Sequence, residues 1–74
     1  MNQGEIDNIF TYHAPSADQQ KRYEEIRRVA MRLAHLINAI CPESREKSIA
    51  MTNIQQAVMW ANASIAINEN EVPA

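Results

Sequence analysis

Between Pro15 and Pro73 only Pro42 is unable to sit inside a helix, and the chain's single glycine, Gly4, lies near its start. Proline breaks helices because it lacks the amide donor and clashes with the preceding turn. The two uninterrupted runs on either side of Pro42 therefore leave room for two long helices and little else. A link as short as Cys41-Pro42-Glu43-Ser44 makes those helices antiparallel neighbours. The expected fold is all-α and a single domain over 1–74: a short N-terminal helix or turn within 1–15, then a long antiparallel helical hairpin. Its helices should run over about 16–40 and about 43–68, with a tail over 69–74 that frays at Val72-Pro73-Ala74.

Local signals agree with that division. Ser16-Ala17-Asp18-Gln19 has the form of a capping box, in which the serine hydroxyl accepts from the backbone three residues on and the glutamine reaches back. From there Tyr23, Ile26, Ala30, Leu33, Ile37 and Ile40 alternate steps of three and four, which lines them along one seam. Pro42 is tolerated in a first helical turn, and Glu43 and Glu46 suit a helix N-terminus. Ahead of the hairpin, residues 2–9 could form one helical turn or stay loose. Ile6, Ile9 and Phe10 could cover the hairpin's end, and Ala14-Pro15 favours an extended turn.

The second helix carries more apolar surface than a hairpin can use. One seam, Ala50, Ile54, Ala57, Ala61 and Ile65, can face the first helix. Another, Ile49, Trp60, Ala63 and Ile67, points more than a quarter turn away at about 100° per residue. A helix that is apolar on two sides is buried on two sides. Trp60 could be an intramolecular core residue, but a two-helix hairpin has one inner face, so a subunit interface is the better expectation. Size argues the same way, because a chain of 74 residues buries a small share of its surface. Disulfides and metals are the usual supports, and one cysteine, Cys41, with two separated histidines, His13 and His35, offers neither. A compact homo-oligomer is the remaining support.

The lone cysteine favours a reducing, cytoplasmic setting. No leader pattern opens the chain and no apolar stretch approaches the roughly 20 residues that span a bilayer, so a soluble, unprocessed protein without a membrane partner is expected. Catalytic residues are not expected either. The acids are dispersed or sit in capping and i,i+4 contexts, no nucleophile has a recognisable base, and no glycine-rich phosphate loop exists. His13, His35 and Cys41 lack metal-ligand spacing, so neither a metal nor a cofactor is expected.

Five of the seven cations, Lys21, Arg22, Arg27, Arg28 and Arg32, fall just after Phe10, Tyr12 and His13 in a chain of net charge -2. Lys21, Glu25, Arg28 and Arg32 share the pole opposite the apolar seam, where i,i+3 and i,i+4 pairs are ordinary surface stabilisers. Arg27 differs, because it borders the apolar face beside Tyr23 and Ala34 and can lie at the rim of a packed interface. An aromatic with an arginine can hold a nucleobase by stacking and a phosphate by a charge-assisted fork, which makes Tyr12 and Arg27 candidates. Tyr12 could equally cover the hydrophobic end. Generic DNA binding is disfavoured by the negative net charge.

Taken together, FTYHAP, QKRYEEIRRVAMRLAHLI, CPESREKS and AVMWANASIAINE resemble the small phage proteins that counter CBASS immunity by sequestering cyclic oligonucleotides. These share a helical-hairpin domain with some sponges that block Thoeris signalling. The resemblance covers about residues 8–69. It implies a sponge that binds a second messenger and releases it unaltered in the cytoplasm of an infected bacterium. It also implies a hexamer, with cyclic dinucleotides in pockets shared between protomers and cyclic trinucleotides in separate pockets in some members. By the same resemblance Tyr12 stacks on the bases and Arg27 meets the phosphates, in a position where the family can carry lysine. Thr11, His13 and Arg28 are further candidates by adjacency, and Asn68 is a candidate for the trinucleotide pocket. Two other readings stand beside this one: a helical oligomeric adaptor that binds an acidic protein or nucleic acid through its basic rim, and a purely structural oligomer.

Overall fold

Asn2 and Glu5 start the first helix, α1 (Gln3–Phe10), by capping one another. The Asn2 side-chain oxygen accepts from the Glu5 backbone N–H at 2.8 Å, and its amide donates to the Glu5 carboxylate at 3.0 Å. This reciprocal Asn-x-x-Glu arrangement is close to a capping box, and it settles as helix a stretch whose apolar spacing left turn and loose chain both open. The computed structural model describes residues 1–69, so the expected fraying of Val72, Pro73 and Ala74 lies outside the described residues.

α2 (Ala17–Ile40) begins with both bonds of the expected box. The Gln19 N–H donates to Ser16 Oγ at 3.1 Å, and the Ser16 N–H donates to the Gln19 side-chain oxygen at 3.0 Å. It ends at Cys41, whose extended backbone leaves the helix while its N–H still donates to the Ile37 carbonyl. α3 (Arg45–Asn68) starts at Arg45 rather than near Glu43, because Ser44 supplies the cap and Pro42 stays in the loop. Ser44 Oγ accepts from the Lys47 N–H at 3.1 Å and donates to the Pro42 carbonyl at 3.1 Å. α2 and α3 have 24 residues each, about 36 Å at 1.5 Å per residue.

The two long helices pack against each other as an antiparallel hairpin, fastened at both ends by charged side chains. At the tip, Lys47 is 8% exposed, and its ammonium donates to the Asn38 carbonyl at 3.1 Å and to the Glu43 carboxylate. It thereby meets an otherwise orphaned carbonyl in the last turn of α2, where the helix dipole also favours a cation. At the open end, Arg22 forks onto Glu69, with one bond of 2.7 Å, and reaches Asp18 at 3.0 Å. The bonds from Arg22 hold the Glu69 carboxyl below the usual carboxylate range, and Glu69 in turn raises the guanidinium above its ordinary value.

The described chain is an elongated slab of 52 × 29 × 13 Å, and no hydrophobic residue among the described ones is buried. Two seam assignments change. Ala57 is exposed, while Met51 and Val58 turn inward with Ala50, Ile54, Ala61 and Ile65. The reason is Lys47: once its ammonium is committed to α2, steps of four and three from it place Met51, Ile54, Val58, Ala61 and Ile65 on the same stripe. On α2, Leu33 and Ile40 were expected in the inner seam and are exposed, Ile40 at 70%. α3 meets α2 at Asn38, so Ile40 projects past the contact, and Leu33 stands at its rim. With Val29 and Leu36 they form an exposed apolar row along α2.

Two outcomes test the fastenings, both at fixed protein concentration. Lys47→Ala should destabilise by about 1.5–3 kcal/mol, as loss of a charged, buried hydrogen bond does. Glu43→Ala, whose side chain is 90% exposed, should cost less than about 1 kcal/mol; urea denaturation compares the two. Because the Glu69 pKa is depressed in the folded state, its pairing stabilises above the unfolded carboxyl value and is lost as pH falls through the folded value. The stability difference between wild type and Glu69→Gln should therefore be present near neutrality and vanish in acid, as a pH series of denaturation curves would show.

Candidate functional site

The segment joining α1 to α2 is short and held on both sides of its aromatic residue. Thr11 leaves α1 with an extended backbone, and its hydroxyl donates back to the Asp7 carbonyl. His13 Nε2 bonds the Asn8 carbonyl at 2.8 Å, which makes it the protonated ring nitrogen. Both carbonyls belong to the last turn of α1, where no helical partner exists for them. Asn8 ties α1 down in turn, its amide donating to the Ile67 carbonyl of α3 at 3.0 Å. Between these bonds Tyr12 is 84% exposed, with no hydrogen bond to any described residue.

Arg27 is exposed on α2 and lines an open groove of about 520 Å³ with Ala30, Met31, Ala34, Ile54, Val58 and Met59. Its guanidinium has no ion pair among the described residues, whereas Arg22 pairs with Glu69 and Arg28 with Glu25. Glu25 borders a second, apolar groove of about 430 Å³ together with Val29, Leu33 and Ala57. The two grooves flank the helix contact: Arg27 lines one, and Glu25, the partner of Arg28, lines the other.

The structure places the sequence candidates in two groups. Thr11, Tyr12, His13 and Asn68 lie toward the open end, where the Asn68 amide donates to the Ser64 carbonyl at 2.9 Å. Arg27 and Arg28 lie partway along α2. The groove residues Ile54 and Met59 precede Ile67 by 13 and 8 positions (67 − 54 and 67 − 59), which at 1.5 Å per residue is about 12–20 Å from the anchor of the Tyr12 segment. A single chain therefore holds Tyr12's anchor and the Arg27 groove apart. Of the second apolar stripe, Trp60 is 74% exposed and Ile49 is exposed, while Ala63 and Ile67 are half-buried near the site where α1 is tied.

The sequence reading had no role for Asn8 or Arg22. The partner of Arg22 is 47 positions away, beyond any helical spacing rule. The bond from Asn8 reaches a backbone carbonyl on α3, and no residue pattern marks such an acceptor.

The chain matches the family model described as Acb2/Tad1, hairpin domain, over residues 2–66. It belongs to that family. The Acb2/Tad1 hairpin family is that of the anti-CBASS and anti-Thoeris sponges. Its match begins at Asn2, the cap of α1, and so takes in the whole short helix that the sequence resemblance, starting near residue 8, largely left out. No curated protein and no solved structure matches the chain. Among the described residues no helix of this Acb2/Tad1 hairpin is long and apolar enough to cross a membrane.

Proposed function

We propose that this chain is a phage sponge that captures cyclic oligonucleotide second messengers stoichiometrically and does not cleave them. Captured messenger never reaches the CBASS effector in the infected cell. Membership in the Acb2/Tad1 hairpin family, across all three helices, is the observation that carries the reading. The geometry supports it. An exposed tyrosine on a braced segment offers a stacking face to a base, and an arginine with no carboxylate partner among the described residues offers its guanidinium to a phosphate.

A single chain holds the anchor of the Tyr12 segment and the Arg27 groove apart, which supports reading the pocket as built between copies, with Tyr12 from one protomer and Arg27 from another. The exposed Trp60 and Ile49, with the apolar row of α2, supply the surface for such an assembly, which we read as a hexamer. A macrocyclic ligand loses little internal freedom on binding, which favours tight capture by a preformed pocket. Cyclic dinucleotides are the primary ligands on this reading. Cyclic trinucleotides would use a separate pocket near Asn68.

Calorimetric titration with cyclic GMP–AMP tests the assignment. Tyr12→Ala should weaken binding at least about tenfold, as loss of base stacking does. Arg27→Ala should weaken it about tenfold or more while Arg27→Lys retains much of the affinity. Wild-type affinity in Tyr12→Ala would sink the assignment. Heating the loaded protein should return intact cyclic nucleotide; linear products would mean a nuclease, and absence of retention would favour the adaptor. For the assembly, Trp60→Glu should lower the mass seen by light scattering, because the change puts a charge into a packed apolar seam. An unchanged mass would place Trp60 outside the interface.

A further inference from the structure

We infer that Asn8 and His13 are positioning residues for ligand capture, acting through Tyr12 without touching the ligand. This inference rests on the reading of Tyr12 as the stacking face. The Asn8 amide fixes α1 to the Ile67 carbonyl of α3, and the His13 ring fixes the residue after Tyr12 to the Asn8 carbonyl. Thr11 fixes the residue before Tyr12 to Asp7. The two neighbours of the exposed ring are thus tied to one short helix, and the Asn8 side chain ties that helix to α3.

Such a relay has a specific use. A tyrosine on a loose linker would reach the stacking position only part of the time, and apparent affinity falls with that fraction. The arrangement also changes the expected roles of Thr11 and His13, because the hydroxyl of one and the bonded ring nitrogen of the other are committed to α1. Asn8 is a costly way to secure a helix, since its side-chain oxygen is buried with no hydrogen-bond partner among the described residues. An apolar residue would avoid that cost but would supply no donor to fix where α1 sits on the Ile67 carbonyl.

The test measures Asn8→Ala, His13→Ala, Tyr12→Ala and the double variant Asn8→Ala/Tyr12→Ala in the assembled protein. Cyclic GMP–AMP calorimetry is paired with hydrogen exchange over residues 11–15. Asn8→Ala should keep the wild-type mass, exchange faster in that segment and bind about three- to tenfold more weakly, the range expected for loss of one hydrogen bond. The double variant should bind no more weakly than Tyr12→Ala, because both changes act through the same ring. Faster exchange with unchanged affinity would overturn the inference and leave Asn8 a purely structural tie. A double variant distinctly weaker than Tyr12→Ala would show that Asn8 acts by another route and would also overturn it. If Tyr12→Ala itself binds like wild type, the sponge reading at Tyr12 fails first. Should Asn8→Ala not fold, His13→Ala breaks the upper link alone. Faster exchange and weaker binding in that variant support the relay, and weaker binding with unchanged exchange would make His13 a direct ligand contact and overturn it.

Discussion

A hairpin of two helices has one inner face, and this chain has apolar residues for more than one. The consequence is visible in the burial pattern. The inner stripes of α2 and α3 are only half-covered, and the described residues include no buried hydrophobic side chain. The buried side chain is a lysine at the tip, where α2's end meets α3's beginning. Polar fastenings at the two ends therefore set the register of the helices. Apolar packing between them then follows that register, which is why Val58 faces inward and Ala57 does not.

That order of control explains what could be read from the sequence. Ser16 and Gln19 are close in the chain, so the cap of α2 is a local pattern and legible. The loop at Pro42 is legible for the same reason. Leu33 and Ile40 obey the helical spacing of the inner seam and are nevertheless exposed, because spacing locates a face of the helix but not where along its length the partner helix begins and ends. The cap at Asn2 was open to a local reading, since Asn-x-x-Glu is nearly the pattern that identified Ser16.

The basic cluster divides along the same line. Arg28 with Glu25 is an i,i+3 pair that helical spacing can suggest. The tie from Arg22 to Glu69 exists only because the hairpin closes, and it assigns to the scaffold a cation that the sequence leaves grouped with its neighbours. Arg27 lines an apolar groove together with Ala34. Which of the cluster's cations meets a ligand is a question that neither spacing nor a single chain resolves, because the partner surface belongs to another copy on the proposed reading.

On the proposed reading, a pocket divided between protomers has a thermodynamic consequence. A protomer with no buried apolar residue among the described ones would gain stability from neighbours, and a ligand that contacts two protomers would bind the assembled state and not the separated one. By linkage, such a ligand stabilises the assembly by RT ln(1 + [L]/Kd), about 2.7 kcal/mol at a hundredfold excess over Kd. Assembly and capture then reinforce one another. The relay from α3 through Asn8 to the Tyr12 segment fits that linkage, because it attaches the exposed Tyr12 ring to the helix that carries Trp60. Packing at Trp60 would then order the helix to which the Tyr12 segment is anchored, so that the proposed assembly surface would also help hold the proposed site in place.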